Sequence, residues 1–255
     1  PRSRTAANAQ ISFDAEIDSD VSTVTLQPGI VCTGDVDNET YTFTITEKIS
    51  ANVVDGTAKF ENINVYQGTY LEKEFTYDGS LDQRFILDNS FIDTSKIAVY
   101  VRFSTDSGDG IQYSLVNDIV NIDSESKIFL IKEIQDEKYE LKFGDGFFGK
   151  KLGEEAGSDG NRIRVRYLTT DGEDGNGAQR FTFSGRITDS NGVIVALEST
   201  PTITTVAKSQ NGGNIESIDS VKYFSPLLYS SQNRAVTARD YEAIIKKIYP
   251  NTESV

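Results

Sequence analysis

Residues 97–103 read Ile-Ala-Val-Tyr-Val-Arg-Phe, so the apolar side chains at positions 97, 99, 101 and 103 alternate with Ala98, Tyr100 and Arg102. A period of two residues places the four apolar side chains on one face of an extended strand. The same kind of apolar, extended pattern recurs in residues 24–26, 41–45, 60–65, 127–134, 139–143, 162–167, 181–183 and 193–197. These segments predict a fold that is mainly β.

Clusters of Gly, Asp and Asn separate the predicted strands, which is typical of tight turns in β-rich domains. We therefore predict β-sandwich-like or elongated antiparallel β-domains with a short C-terminal helical segment. We divide the chain into an N-terminal β-domain (1–68), a central β-domain (69–206) and a helical tail (207–255). The last boundary marks the change from strand periodicity to helical periodicity.

Two helices are predicted in the tail. In the first, apolar residues recur at helical spacing at positions 218, 221, 224 and 228. Ser217 is placed to cap this helix at its N-terminus, and Pro226 is expected to limit its length, because proline disrupts a helix interior.

The second tail helix has the clearer start signal. Thr237 and Asp240 have the spacing of a capping box, in which each side chain accepts a backbone N–H near the other residue. Positions 241, 244, 245 and 248 then form one largely apolar stripe, and Pro250 is expected to end the helix. Two short helices have little core of their own, so we expect the stripe to pack on the β-body or on another subunit.

The composition excludes several classes of function. The chain has 255 residues and a formal net charge of −14, which disfavours binding to nucleic acid or to anionic lipid. Its pattern contains no membrane-spanning stretch. The chain lacks His and has a single Cys, Cys32, so the common His-dependent nucleophile pairs and zinc sites are excluded. We expect no cofactor, no bound metal and no catalytic residue.

Residues 144–149, Gly-Asp-Gly-Phe-Phe-Gly, match the spacing of a dinucleotide fingerprint and nearly match a phosphate-binding loop. Both phosphate-binding motifs require a helix that starts at the motif, and residues 150–157 have no helical stripe. We therefore interpret the motif as a tight β-turn in which glycine provides positive φ angles.

Arg162, Arg164 and Arg166 form the one concentrated basic stripe of this acidic chain. Their spacing places all three on the same face of a strand. Two hypotheses remain open: a solvated strand face paired with acidic residues of neighbouring strands, or a docking surface for an acidic partner, including a second copy of the chain.

Three segments then occur in a recognisable order: Phe-Gly-Asp-Gly-Phe-Phe-Gly-Lys at 143–150, Asn-Arg-Ile-Arg-Val-Arg-Tyr at 161–167 and Arg-Ala-Val-Thr-Ala-Arg-Asp-Tyr at 234–241. The first two resemble a core signature of the baseplate wedge proteins of T-even-type contractile-tailed bacteriophages. The third resembles a motif shared with the wider baseplate J-like family. The resemblance is clearest over residues 66–255.

This resemblance implies a structural function. Such proteins form dimers, which link into a ring around the tail hub and rearrange when the tail contracts. The implied partners are further copies of the chain and other baseplate wedge proteins. The implied location is the tail baseplate of the virion, after assembly in the host cytoplasm. The resemblance also implies that this chain is an internal fragment of a longer protein.

The tail motif supplies four further interface candidates: Arg234, Thr237, Asp240 and Tyr241. Arg234 offers a fork of five donors to a carboxylate or to backbone carbonyls, and Tyr241 combines an apolar ring with a hydroxyl group. One hypothesis is a cap and ion pair satisfied within the chain. The other is a contact between subunits.

Assembly is therefore the function that we expect from the sequence. The leading alternative is a glycan-binding β-module of a tail fibre or adhesin. A glycosidase-type enzyme with two facing carboxylates is the second alternative, because that chemistry requires no histidine.

Overall fold

The computed structural model describes residues 2–18, 20–80, 82–103, 108–116, 122–153, 160–231, 234–248 and 252. Within these residues the chain is mainly β, with two helices at its C-terminal end, which confirms the predicted fold class. The strands are β1 (Asn8–Glu16), β2 (Thr23–Leu26), β3 (Gly29–Val36), β4 (Glu39–Ile45), β5 (Ile49–Val54), β6 (Thr57–Gln67), β7 (Thr69–Thr76), β8 (Phe85–Leu87), β9 (Ile92–Phe103), β10 (Ile111–Leu115), β11 (Ile128–Ile134), β12 (Lys138–Phe143), β13 (Asn161–Thr169), β14 (Phe181–Phe183), β15 (Ile187–Thr188) and β16 (Thr204–Gln210). The helices are α1 (Ile218–Ser231) and α2 (Ala238–Ile248).

The first sheet has the order β14-β3-β4-β6-β5-β2-β15, and β1 joins it by pairing with both β6 and β16. Ser209 of β16 exchanges backbone hydrogen bonds with the segment before β14: its N–H donates to Ala178, and its carbonyl accepts from Gly177, both at 2.8 Å. The sheet therefore curves back on itself, with its apolar side chains inside.

The core of the first sheet is rich in aromatic rings. Phe13 packs on Phe60 with ring centroids 5.0 Å apart, and Phe43 meets Phe181 edge to face at the same distance. Cys32 is fully buried in this core, where burial raises the pKa of its thiol to about 12. A buried thiol with a raised pKa is unreactive, so Cys32 serves as a small apolar residue of β3.

The second sheet has the order β7-β13-β9-β10-β11-β12-β8. The pair β10–β11 is parallel, which differs from the antiparallel arrangement expected from the sequence. Ile163 and Val165 of β13 and Val99 of β9 are fully buried in its core. The alternation in residues 97–103 thus marks a central strand of this sheet.

The chain crosses between the two sheets twice, at residues 67–69 and again at 169–172. At the first crossing, a Cβ atom on Gly68 would lie 2.1 Å from the carbonyl oxygen of Thr169, so only glycine fits. Strands β14 to β16 follow the second crossing and return to the first sheet. The expected central domain, 69–206, therefore contributes strands to both sheets, and the division into three domains stays a prediction.

The prediction of a strand over residues 193–197 was wrong. The carboxylate of Asp189 accepts the N–H groups of Asn191 and Val193, both at 2.8 Å, and this turn reverses the chain. The reversed segment makes only isolated bridges, Thr188 with Ile194 and Ile17 with Leu197. Residues 193–197 therefore form exposed turn positions and make a few contacts with the core of the first sheet. They do not form the regular hydrogen-bond ladder of a paired strand.

The prediction that Pro226 limits the first tail helix was also wrong, because α1 continues through it to Ser231. Proline leaves the carbonyl of residue 222 without its helical donor. Both Pro226 and Lys222 are exposed, so water can satisfy that carbonyl and the disruption is tolerated. The expected end of the second helix at Pro250 lies outside the described residues.

Within the described part of the chain, no helix is long and apolar enough to cross a membrane.

Candidate assembly surfaces

Strand β13 lies between β7 and β9 and carries the arginine stripe on the face opposite the second core. The register places Arg164 opposite Glu74 of β7 and opposite Tyr100 of β9. It places Arg166 opposite Glu72. The intervening residues of β13 point into the core, so the strand itself aligns the three guanidinium groups in one row.

The row is paired with carboxylates of the same chain. Arg166 Nε lies 2.8 Å from a carboxylate oxygen of Glu72, and Arg164 Nε lies 3.4 Å from the other oxygen of that carboxylate. Arg164 Nη2 also lies 3.6 Å from Glu74. Arg162 donates to the hydroxyl of Thr76. The structure thus shows the pairing of the stripe within the chain, and its role as a docking surface stays a prediction.

Asp109 is a partner of the stripe that the sequence analysis missed. Its carboxylate lies 2.5 Å from Arg164 Nη1 and 2.9 Å from Arg166 Nη2. A hydrogen bond from Arg166 has the largest effect on the pKa of Asp109 and lowers it. Burial opposes this effect, and Arg164 lowers the pKa further. Gly110, with φ of 91°, lets the loop approach β9 closely, since a Cβ there would lie 2.7 Å from Arg102 Cβ. The only sequence signal for this contact was the pair Asp109-Gly110 before a strand. Such a pair indicates a turn, but it does not identify the side chains that the aspartate contacts.

The predicted capping box of the second tail helix is confirmed. The N–H of Asp240 donates to Thr237 Oγ1 at 3.3 Å, and the N–H of Thr237 donates to Asp240 Oδ2 at 2.8 Å. Hydrogen bonds from Thr237 lower the pKa of Asp240. The cap fixes where α2 begins, so Thr237 and Asp240 have an established structural role within the chain.

The tail hairpin, which we define as α1, α2 and their connection, leaves large apolar side chains exposed. Neither hydrophobic core includes a described tail residue. The helices contact each other, and Ala243 of α2 is buried, 1% exposed. The exposed apolar residues of the hairpin are Ile218, Tyr223, Tyr229, Val236, Tyr241 and Ile248. Tyr241 is 54% exposed, and Arg234 also lies at the exposed surface before α2.

An N-terminal segment connects the base of the hairpin to both sheets. The backbone of Arg2 exchanges hydrogen bonds with Glu216, and the backbone of Thr5 exchanges two with Gly213 at 2.9 Å each. In the same segment, the N–H of Ala6 donates to the buried carboxylate of Asp93 in β9. Residues 2–6 therefore link the start of the hairpin to the second sheet, immediately before the chain enters β1.

The glycine motif at 144–149 forms a tight turn, as interpreted from the sequence. Gly146 and Gly149 have φ of 92° and 80°. A Cβ on Gly144 would lie 2.2 Å from the backbone of Gly149. The residues that follow, 150–153, form bridge and turn structure. The turn presents Phe147 with 90% of its surface exposed, which the motif did not indicate.

Among the described residues, no group of three or more Cys, Asp or Glu side chains is arranged to hold a metal ion.

Comparison with known proteins gives a distant similarity along the whole chain. The chain is 24% identical over 261 residues to the baseplate wedge protein gp6 of Enterobacteria phage T4. The match covers 97% of this chain and 38% of the length of that protein. No protein-family model matches the chain. The similarity supports a distant relationship to phage baseplate proteins.

Proposed function

We propose that this chain is a structural segment of a phage baseplate wedge, in which it pairs with a second copy through the tail hairpin. The pairs link into a ring around the tail hub, contact other wedge proteins and rearrange when the tail contracts. The distant similarity to a baseplate wedge protein supports the structural role. The proposal assigns the chain no catalytic residue and no cofactor.

The exposed apolar surface of the tail hairpin carries the pairing proposal. Tyr229 is 88% exposed, Val236 80% and Tyr241 54%. Burying such a side chain contributes about 1.5–3 kcal/mol, and a specific interface buries more than about 1,000 Å² in total. Tyr229 and Tyr241 suit an interface, because each joins a large apolar ring to a hydroxyl group that forms hydrogen bonds at the rim.

The arginine stripe fits the proposed rearrangement. Arg164 and Arg166 share Asp109, whose side chain is 45% exposed and lies on the connection between β9 and β10. Ion pairs at such partly exposed positions contribute only about 0–1 kcal/mol each. An acidic side chain of a neighbouring subunit can therefore replace Asp109 at low energetic cost, so the stripe serves as a contact that exchanges partners between two baseplate states.

Sedimentation equilibrium tests the pairing. We expect the full chain to form a species of twice its 28.1 kDa mass. Replacing both Tyr229 and Val236 by Ser removes two anchors of the exposed surface and should raise the dissociation constant at least tenfold, equivalent to about 1.4 kcal/mol.

Val193→Ser is the matched control, because Val193 is 62% exposed but lies on a turn of the first sheet. This variant should pair like the unmodified chain. A chain that stays monomeric at every concentration, or a hairpin variant that pairs as tightly as the control, would contradict pairing through the hairpin.

A further inference from the structure

The second sheet has a gap beyond the end of β10. This strand lies between β9 and β11 in the strand order, but it pairs with β11 only at Ser114 and Leu115. β11 continues past that pairing to Ile134. In a regular sheet, the two strands on either side of a third strand are about 10 Å apart. The end of β10 therefore leaves room for one more strand beside the second half of β11.

The edge of β11 at this gap has unpaired backbone groups. The N–H of Val116 donates to the carbonyl of Phe129 at 3.0 Å, so Phe129 turns its backbone groups toward β10. Alternation along the strand turns those of Ile131 and Glu133 to the same side, beyond the last bond to β10. Within the described part of the chain, no group bonds to them there. β11 thus presents an open edge of two residues, and such an edge is a template for a further strand.

A recess opens directly beside this edge and has a volume of about 330 Å³. Its lining combines apolar side chains of β10, β11 and β12 with three polar residues, Ser3, Thr94 and Glu133. A rise of about 3.3 Å, a strand spacing of about 4.8 Å and a sheet thickness of about 10 Å give about 160 Å³ for each residue of a strand. The recess therefore has room for about two residues of an added strand, which equals the number of unpaired positions in β11.

The electrostatic environment of the recess is acidic. Among the described lining residues, Glu133 is the only one with a charged side chain, and it makes no ion pair with a described residue. Tyr139 also lines the recess, and its pKa is raised to about 12 by burial and, to a lesser extent, by the carboxylates of Glu133, Glu137 and Asp93. Arg4 lies 3.8 Å from Glu137 and partly balances that charge. A basic side chain therefore complements the recess, whereas an acidic one would be repelled.

The side chains of β11 specify the pattern of a matching strand. Ile131 and Glu133 are two positions apart, so both lie on the face of β11 that carries the buried ring of Phe129. A strand added at this edge places one residue beside Ile131 and the next residue of the same face beside Glu133. The matching segment therefore has an apolar residue and a basic residue two positions apart.

We propose that β11 binds a short extended segment of a partner protein by strand addition, and that this segment carries an apolar and a basic residue two positions apart. Backbone hydrogen bonds to Ile131 and Glu133 hold the segment, and the carboxylate of Glu133 selects its basic residue. The site lies on the second sheet, away from the tail hairpin. It requires neither pairing through the hairpin nor a baseplate ring, so its test is independent of the proposed function.

Peptide binding to the full chain tests the proposal. The first probe is the blocked peptide Gly-Thr-Val-Thr-Lys-Thr-Gly, and a second probe with its valine and lysine exchanged covers the opposite strand direction. We expect one of the two to bind, and we expect glutamate in place of its lysine to weaken binding at least tenfold. In NMR amide-exchange measurements, the bound peptide should slow exchange at Ile131 and Glu133.

Peptides with N-methylated amides distinguish strand addition from binding through side chains alone. Methylating every second amide removes the donors on one side of the peptide and keeps all of its side chains. A strand bonds to β11 through only one of the two alternating sets of amides. At least one of the two methylated peptides should therefore bind at least tenfold more weakly than the unmodified peptide.

Two variants of the chain test the selection of charge. Glu133→Gln should weaken binding of the lysine peptide at least fivefold while circular dichroism stays unchanged. Glu61→Gln is the matched control, because Glu61 is exposed on β6 of the first sheet, and it should bind the peptide like the unmodified chain.

Several results would overturn the proposal. They are the absence of binding by both probes, equal binding of the lysine and glutamate peptides, binding that both methylated peptides retain, and slowed exchange outside β11. Exchange at Ile131 and Glu133 that slows as the concentration of the chain alone rises would identify a second copy as the occupant, and would also contradict a partner protein.

Discussion

Gln67 is the residue whose replacement most directly tests how the two sheets are held together. It is 1% exposed and lies at the first crossing. Its Oε1 accepts from the hydroxyl of Thr170 at 2.6 Å and from the N–H of Asp171 at 3.0 Å, and its Nε2 donates to the carboxylate of Asp171 at 2.7 Å. One side chain thus ties the first crossing to the second.

Gln67→Ala should lower the free energy of unfolding by about 3 kcal/mol. The hydroxyl of Thr170, in a residue that is only 2% exposed, loses its acceptor, and leaving a buried polar group unpaired costs about 1–3 kcal/mol. The removed Cγ methylene group also packs against Gly175, so the variant leaves a cavity that adds to the loss. Asp171 is exposed, and water therefore replaces its lost partner.

Urea unfolding followed by tyrosine fluorescence and circular dichroism measures this loss. Gln10→Ala is the matched control, because the Gln10 side chain makes one exposed hydrogen bond of 3.3 Å to Asn62. We expect the control to change stability by less than about 0.5 kcal/mol. Gln67→Glu changes the hydrogen bonds without creating a cavity. Its carboxylate faces that of Asp171, and the two negative charges repel each other. This variant should therefore regain stability as the pH falls, because one carboxylate then takes up a proton. Equal losses in Gln67→Ala and Gln10→Ala would refute this account of the crossing.

Two further variants test the candidate surfaces. Because the pKa of Asp109 is lowered in the folded chain, its contribution is present above the unfolded pKa near 4 and is lost as the pH falls through the folded value. Asp109→Asn should therefore destabilise by about 1 kcal/mol or less at pH 7, and the difference from the unmodified chain should shrink toward pH 3; a difference that is constant with pH would contradict this. Thr237→Ala should cost about 1 kcal/mol of helix stability and speed amide exchange in the first turn of α2, whereas Thr237→Ser keeps the hydroxyl and should exchange like the unmodified chain. Equal exchange in the two Thr237 variants would show that the hydroxyl does not support the helix.

The local elements were predictable because local sequence patterns determine them. Alternation in residues 97–103 and 162–167 identified parts of β9 and β13, which are central strands buried on one face. The spacing of Thr237 and Asp240 identified the start of α2, because a capping box involves residues only three positions apart. Glycine at 144, 146 and 149 identified a turn, since Gly144 has no room for a Cβ atom and Gly146 and Gly149 have positive φ angles.

The long-range features were not predictable, because they depend on residues far apart in the chain. The pairing of β16 with β1 and the return of β14 to β3 leave no periodic signal in either segment. The ion pairs of Asp109 join a loop to strand residues more than 50 positions away. The apolar run 193–197 looked like a strand, but a turn held by Asp189 limits it to isolated bridges.

Cryo-electron microscopy of the tail tip tests the central claim most directly, using contractile particles made from the genome that encodes this chain. Both sheets and the helical hairpin should fit density in a ring around the hub, with the hairpin of each copy packed against a second copy. Purified, infectious particles that lack this polypeptide, or a tail-tip map in which every copy stands alone, would contradict the proposed role in assembly.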